Sequence, residues 1–583
     1  MVISEGEYAK MIIVGIDVGG TNTDAALISG GKIKATAKVP TNYNQLLEST
    51  VSAFEVLLNS YGSRLPEDGI ELHLSTTLST NAIIQEQGDP TAVLAVPGPG
   101  MNIKQVGLRF PIYILSGSID HRGREVAPLD PKEVRAAVTE AKNEGALALA
   151  VVGKFSHRNP SHELTIEGLI RGDTLFKAGY ITLGHRLSGR PNFPRRMATS
   201  YLNASIARRQ ASFCSTIREF MVRGKNVRNV FLLKADGGTM RLEDSLIRPI
   251  ETILSGPAAS IMGAESLSAY PYLNTVIIDI GGTTTDISCQ IKGDTVFQRQ
   301  GAEISGYKTL VPALFSRSIG LGGDSEINIT NTPGDSGFSL RIGPKRAGTP
   351  AAFGGNYVTP TDAAVVLGLA KIGSLVSAEN ALSDFSKPYG IEPKELAQMI
   401  IDTFTQQLTL AIKEIYEDLQ SQPVYTVSEI LAPPDIQPQA VIGLGAPAKV
   451  FIPPVAKHLG LKYQILPYSE SANAIGAAAS CQTAGITLHA DTALGVMTVP
   501  EAGYTGRIER PILFDIRRAR KEATERATEF ARNLGLDEPE NIKIVEEESF
   551  NMVRGFHTIG RTFMVRAQVR PKVTRLSVPF SQC

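Results

Sequence analysis

Cysteine is scarce in this chain of 583 residues: Cys214, Cys289, Cys481 and Cys583 are widely scattered and form no C-x-x-C pair. That spacing excludes a disulfide framework and a zinc ribbon, and it suits a reducing compartment with thiols packed as small apolar side chains. A surplus of charge is also missing, because 58 basic residues balance 58 acidic ones. An overall electrostatic preference for nucleic acid or an anionic membrane is therefore not expected. No apolar run approaches the ~20 residues of a membrane span. The stretch Met1 to Lys10 carries acidic residues without an apolar core, so no signal peptide is expected and the cytoplasm is the expected location. Two nucleotide signatures are absent too. No G-x-x-x-x-G-K-[ST] loop occurs, and no G-x-G-x-x-G follows a strand as a dinucleotide fingerprint requires.

What is present is ordinary for a globular chain, with 43% hydrophobic and 20% charged residues. Length alone allows three to five domains of roughly 100–200 residues. Residues 11–18 form a nearly continuous β-branched run, the mark of a strand buried on both faces. Gly19-Gly20-Thr21-Asn22-Thr23 is a turn, and a returning strand and a third strand at 32–39 complete a meander. Alternating helices and strands follow to residue 152, an α/β pattern.

The second half restarts in the same way. Ile277-Ile278-Asp279-Ile280-Gly281-Gly282-Thr283-Thr284-Thr285-Asp286 matches Gly15-Ile16-Asp17-Val18-Gly19-Gly20-Thr21-Asn22-Thr23-Asp24 in register at Asp, Gly, Gly, Thr, Thr and Asp. A repeat so widely spaced points to two sister domains rather than a solenoid, whose period is roughly 20–50 residues. The expected division is a first domain over 11–200, a second over 201–488 with a loop-rich insertion near 300–355, and a small α+β domain over 489–583.

A polyphosphate can be held by turn N–H groups and hydroxyls where glycines permit close approach. A carboxylate ending the preceding strand can hold magnesium, usually through water. Asp17 and Asp279 have that placement, with hydroxyls at Thr21, Thr23, Thr283, Thr284 and Thr285 and glycines at Gly19, Gly20, Gly281 and Gly282; Asn22 completes the first loop.

The doubled loop resembles the actin/Hsp70/sugar-kinase superfamily, in which two phosphate hairpins face each other across an ATP cleft. The resemblance implies a duplicated actin-like ATPase (ribonuclease H-like) α/β fold, with ATP and Mg2+ as cofactors. It also implies an adenosine turn, matched by Gly443-Leu444-Gly445-Ala446-Pro447 with Gly443, Gly445 and Ala446 as nucleotide contacts. Small-residue helices should cross between the domains, and Ser255 to Ala264 and Ala472 to Ala478 suit that role.

A narrower resemblance is to the hydantoinase/oxoprolinase family. It runs in order from about residue 11 to 485 through both phosphate loops, Ser75-Thr76-Thr77-Leu78-Ser79-Thr80-Asn81-Ala82, Leu254-Ser255-Gly256-Pro257-Ala258 and Pro360-Thr361-Asp362-Ala363. The resemblance implies an ATP-dependent hydrolase that opens a cyclic amide such as a hydantoin or 5-oxoproline. Asp17 and Asp279 would act as catalytic and metal-holding residues, with Thr76, Thr77 and Asn81 near the γ-phosphate or substrate. Arg195 and Arg196 would steady a carboxylate, with an interdomain salt bridge as the alternative. A second hydrolase subunit is implied, and a homo-oligomer stays open. A kinase or carboxylase component of the same fold, and a nucleotide-driven activator of a partner enzyme, are the competing readings.

The pattern departs from the family at Gly320-Leu321-Gly322-Gly323-Asp324-Ser325, where a carboxylate replaces a glycine. Gly322 and Gly323 are still expected beside the nucleotide. The other departures fall at 348–355 and at the adenosine turn. His73, His157, His162, His185 and Asp236 show no compact ligand spacing and are expected in structural roles.

Overall fold

A computed structural model gives the fold. It describes residues 11–577 apart from Thr21, 43–45, 63–65, 67–68, 173–175, 177–178, 223–225, 299, 332–337, 422–434, 537–538 and 540–541. The first sheet is built from β1 (Ile12–Val18), β2 (Asn22–Ser29), β3 (Lys32–Pro40), β4 (Ile70–Thr76), β5 (Val227–Leu233) and β6 (Thr239–Arg241). Its order is β6-β5-β4-β1-β2-β3, with β1 antiparallel to β2 and parallel to β4. Every residue of β1 is buried, which is why its sequence is apolar without alternation.

The second sheet repeats this plan with β7 (Thr275–Ile280), β8 (Thr285–Ile291), β9 (Ser316–Ile319), β10 (Ala440–Leu444) and β11 (Lys462–Ile465), and the short strand Asp294–Thr295 also pairs with the end of β8. β7 is antiparallel to β8 and parallel to β10, and β10 is parallel to β11. With β9 on the outer side of β8, the order β9-β8-β7-β10-β11 matches β3-β2-β1-β4-β5. The expected duplication is thus a duplication of topology, beyond the two loops.

Three expectations about organisation change. The first sheet does not close by residue 200, because β5 and β6 return to it after the long helix Phe193–Val222. Between β4 and β5 lies a separate four-stranded parallel sheet of Tyr180–Leu183, Ala148–Gly153, Thr91–Val96 and Ile112–Ile114, with its own buried cluster. The local α/β rhythm is the same in both layers, so it could not separate them. The 300–355 region is more regular than loops: it contains β9, a short hairpin pairing Glu303–Ile304 with Tyr307–Lys308, and a hairpin of Ser325–Asn331 with Phe338–Arg346.

The C-terminal part is an α+β unit whose five-stranded sheet begins at Gly485 and ends at Val569. Helix Ile516–Asn533 covers it with a stripe of buried Ala519, Ala523 and Ala527, and its charges face outward. Past the sheet the chain runs back between the two ATPase-like halves, where Thr574 N–H donates to the Ala479 carbonyl and Leu576 N–H to that of Ser266. No helix among the described residues is long and apolar enough to cross a membrane.

Four helices matter for the site: α1 (Leu78–Ile84), α2 (Phe193–Val222), α3 (Ser255–Leu267) and α4 (Ala472–Ala479). α3 and α4 cross between the halves at glycines. A Cβ on Gly476 would lie 2.0 Å from the Ala259 carbonyl, and one on Gly263 would lie 2.2 Å from that of Ala472. α4 also presses on β1, where a Cβ on Gly15 would meet the Ala474 carbonyl at 2.1 Å. Backbone therefore meets backbone at three points, and only glycine leaves room for it.

Candidate functional site

The two hairpins have the same local geometry. Gly19 N–H donates to the Asn22 carbonyl at 3.1 Å, and Gly281 N–H to that of Thr284 at 2.9 Å. In each, the strand aspartate pairs across the ladder with a second aspartate, Asp17 with Asp24 and Asp279 with Asp286. Gly20, Gly281, Thr283 and Thr284 stay exposed at the tips, with Gly19, Asn22 and Gly282 partly exposed beside them. Thr21 lies outside the described residues.

Two threonines do not take the expected role. Thr23 and Thr285 are fully buried, with hydroxyls turned to Thr41 Oγ1 at 2.9 Å and to the Leu321 carbonyl at 2.5 Å. They sit at the start of the return strand, where side-chain alternation points them into the domain. They brace the hairpins from within, and the tip residues remain exposed.

The crossing helices join the two aspartates. Asn473 on α4 donates from Nδ2 to Asp17 Oδ2 at 3.3 Å, and Ser260 on α3 lies 2.6 Å from Asp279 Oδ2 and 2.9 Å from Asn473 Oδ1. Asp17–Asn473–Ser260–Asp279 is thus a continuous polar path between the two aspartates. Sequence reading expected both helices to cross between the domains but assigned neither a polar role; the signal for one was an asparagine inside a run of small apolar residues.

The carboxylates are crowded and dry. Burial is the main cause that raises Asp17, Asp24 and Asp286 to about 6, with neighbouring carboxylates adding to it, and burial also raises Asp279. Lys38, 3.2 Å from Asp24, opposes the shift there. Asp17 Oδ1 is buried and has no hydrogen-bond partner. An oxygen without a donor among crowded carboxylates is what a hydrated divalent cation would satisfy, so the residues fit magnesium held by Asp17 and Asp279. Among the described residues no three or more His, Cys, Asp or Glu side chains gather as a direct ligand set, and the fit is to a cation that keeps its water.

Around the second hairpin the other expected elements converge. Gly323 and Asp324 donate their N–H groups to the Gly281 and Gly282 carbonyls at 3.0 and 2.7 Å. A Cβ on Gly322 would meet the Gly282 carbonyl at 2.5 Å. Gly445, at φ +83°, lies so close that a Cβ would be 2.1 Å from the Ile280 carbonyl and 3.1 Å from Asp279 Oδ1, and Ala446 beside it is exposed. Gly443 differs: it is buried within β10 under Ile452 and serves packing. Asp324 rests against Gly282 and pairs with Arg346 at 2.9 Å, so the acidic departure from the family stands at the second hairpin itself.

Beside the first hairpin, Val18 pairs with Thr76 in parallel register. Thr77 Oγ1 donates to the Val18 carbonyl at 3.4 Å and accepts from Asn81 Nδ2 at 3.1 Å. Ser255 Oγ, opening α3, donates to the Thr76 carbonyl at 2.9 Å. Thr76, Thr77 and Asn81 are therefore gathered at the first hairpin, and Ser255 joins them.

The arginines are not. Arg196 is fully buried and donates to the carbonyls of Arg190, Gly153 and Lys154 at 2.6, 2.8 and 2.7 Å. It ties α2 to the nested sheet and has no face for a substrate, which corrects its expected role. Arg195 donates to the Gln300 and Thr309 carbonyls and to Gln300 Oε1, all neutral acceptors, at the edge of a cavity of about 750 Å³ that contains no residue of either hairpin. The histidines are structural: His162 meets Glu125 at 2.8 Å, His185 meets the buried Glu163 at 2.6 Å, and His73 Nδ1 donates to the Ala477 carbonyl.

Sequence models of the hydantoinase/oxoprolinase N-terminal region and of hydantoinase/oxoprolinase match residues 13–173 and 196–485. The chain belongs to the hydantoinase/oxoprolinase family. Within that family it is 27% identical over 450 residues to the acetophenone carboxylase gamma subunit of Aromatoleum aromaticum, covering 69% of this chain and 60% of that one. It is 24% identical over 494 residues to caprolactamase subunit alpha of Pseudomonas jessenii, covering 78% and 68%. It is 25% identical over 415 residues to 5-oxoprolinase 1 of Arabidopsis thaliana, covering 60% of this chain and 31% of that protein. The chain thus spans three fifths of the first relative and under a third of the last.

Among solved structures, ATP-dependent caprolactamase from Pseudomonas jessenii aligns with a TM-score of 0.73 at 18% identity, over 98% of this chain and 90% of that one. Nucleotide-free acetone carboxylase aligns with a TM-score of 0.67 at 16% identity, over 98% and 89%. Both likenesses support the duplicated fold along nearly the whole family member.

Proposed function

We propose that this family member is the ATP-binding component of an enzyme that opens a cyclic amide, such as a hydantoin or 5-oxoproline, by phosphorylating its carbonyl oxygen. The observation that carries the reading is the pair of sister hairpins whose aspartates are joined through Asn473 and Ser260. The pairing of the two hairpins supports a reading in which a polyphosphate lies between the two halves. An amide is a poor electrophile; a phosphorylated amide oxygen makes its carbon open to water. Such transfer is catalysed by positioning and charge stabilisation rather than by covalent chemistry of the protein.

In this reading the hairpin N–H groups cradle the phosphates, and Asp17 and Asp279 hold magnesium, which when bound neutralises developing charge. Thr77, Asn81 and Ser255 orient the acceptor beside the first hairpin, and Gly445 and Ala446 border the adenosine. The partner is a second hydrolase subunit, in keeping with relatives named as subunits and with the much longer 5-oxoprolinase.

Phosphate release in the presence of ATP and magnesium, screened across cyclic amides with and without a co-expressed neighbouring subunit, tests the proposal. Stimulation by a cyclic amide with free inorganic phosphate is expected. A stable phosphorylated product in the phosphorus NMR spectrum indicates a kinase instead. The acetophenone and acetone carboxylase likenesses favour one further alternative, for which turnover would require bicarbonate and a ketone.

A further inference from the structure

Away from the hairpins, a cavity of about 600 Å³ opens where the first domain, the nested sheet and the C-terminal unit meet. Its size falls within the range of small-molecule sites, roughly 300–1,000 Å³. No residue of either hairpin lines it. Its wall is amphipathic: Leu187, Leu310, Phe530 and Leu534 supply an apolar side, and six basic against five acidic side chains supply the rest.

Four of the five carboxylates are already bound to donors. Asp236 accepts from Gly238 N–H, Thr483 Oγ1 and Gln568 Nε2, and Lys234 lies 3.2 Å away. Glu501 accepts from the N–H groups of Gly189 and Thr487 and from the Thr487 hydroxyl. Glu251 is paired with Lys234 and Arg248, and Glu167 with Arg171 and Arg186. The fifth, Asp244, stands in the field of Arg248 and Arg241.

Arg566 is the exception on the basic side. It stands on the strand His557–Val569, opposite Glu546 and Thr487, and its partly exposed side chain lines the cavity. Glu546 is taken by Arg190 at 3.3 Å. Among the described residues the Arg566 guanidinium makes no side-chain hydrogen bond and no ion pair. Burial pushes its pKa down from the usual arginine value and Arg190 adds to the effect, while Glu546, Glu501 and Asp236 oppose it from a distance without pairing with it; the guanidinium stays protonated. A planar fork of donors lining a cavity with one apolar side is completed by a carboxylate, which it can grip in two places.

We propose that this three-domain cavity is a binding site for a small organic carboxylate with an apolar body, gripped by Arg566 and separate from the phosphate cleft. The site rests on the cavity and its donors and holds whether or not the cyclic-amide reading does.

Calorimetric titration and thermal shift of the full chain with 4-phenylbutyrate and hexanoate test it, with 4-phenylbutanamide and inorganic phosphate as the neutral and inorganic arms. Saturable binding of the carboxylates is expected, weaker by about tenfold or more in R566M, since a charged hydrogen bond of this kind contributes about 1.5–3 kcal/mol. The amide and inorganic phosphate should bind far more weakly than either carboxylate. I247E provides a second variant: Ile247 lines the rim and is 61% exposed, so the substitution spares the fold while placing a repelling carboxylate at the entrance. It should weaken carboxylate binding severalfold and leave basal ATP turnover unchanged. No saturable carboxylate binding to the wild type overturns the proposal. So does equal affinity for the amide or phosphate, unchanged affinity in a folded R566M, or unchanged affinity in I247E.

Discussion

Asp17 and Asp279 sit at equivalent places in two equivalent hairpins, and their burial makes their charge conditional on what surrounds them. D17N and D279N should each lower ATP turnover by about 10²–10³-fold, the scale of losing one charge-stabilising group, while melting curves stay near those of the wild type. Asp17 is raised to about 6, so turnover that needs its carboxylate ionised should fall as pH drops through that value. The hydrogen bond from Asn473 lowers the Asp17 pKa, so N473A should move the acid limb to higher pH. An acid limb in the same place for N473A and wild type would show that Asn473 does not position Asp17. Arg196 belongs to a different class. Removing it takes the guanidinium donor from the Arg190 and Lys154 carbonyls, whereas Gly153 keeps Ser156, so R196M should lose about 2 kcal/mol or more in urea unfolding; a raised KM at unchanged stability would restore it to the substrate site.

At the scale of elements, the crossing of α3 over α4 sets the distance between the hairpins. The Gly476 site has no slack, because a Cβ there would stand 2.0 Å from the Ala259 carbonyl and 2.5 Å from the Gly263 nitrogen, all backbone. G476V should therefore separate the helices, at a cost of about 3 kcal/mol or more. It should also stretch the Asn473–Ser260 link, so turnover should fall in whatever fraction remains folded. Equal stability and turnover in G476V would mean that the helices can shift without consequence. The small residues of both helices made them legible from the sequence as a seam crossing between the domains. That the seam carries the polar link between Asp17 and Asp279 was not, since those aspartates are 262 positions apart and meet only when the helices cross.

At the scale of the whole molecule, the C-terminal unit is bound to the nested sheet rather than hanging from the second domain. His489 Nε2 donates to the Gly189 carbonyl at 2.7 Å, Thr498 to that of His157, and Arg122 pairs with Asp491 at 3.0 Å. The rings of His157 and His489 lie 4.8 Å apart, and burial is the main cause that lowers both, His489 to about 3. A histidine depressed in the folded state takes up a proton in the unfolded state first, so its contribution falls as pH drops below 6.5. At pH 5 the loss from His489 is about 2 kcal/mol, at 1.36 kcal/mol per unit. Asp17, Asp24 and Asp286 titrate with the opposite sign, so wild type must be compared with H489Q. The stability advantage of the wild type, measured by urea unfolding, should shrink by about that amount between pH 7.5 and 5. A constant difference would place His489 in a wetter environment than the fold shows.

The sequence by itself determined the two hairpins, their aspartates, the sister-domain repeat and the helices between them. These depend on local rules: apolar runs for buried strands, glycine pairs for turns and small residues for close crossings. Only the tertiary structure decided where the first sheet closes, because β5 reaches β4 across some 150 residues that have the same α/β rhythm. It turned Thr23 and Thr285 inward while leaving Thr283 and Thr284 at the tip, a choice made by strand alternation and neighbouring carbonyls. It placed Arg196 inside and Arg195 at a separate cavity, although the two are adjacent in sequence. Partnership between groups far apart in the chain is decided by packing, which a linear pattern does not contain.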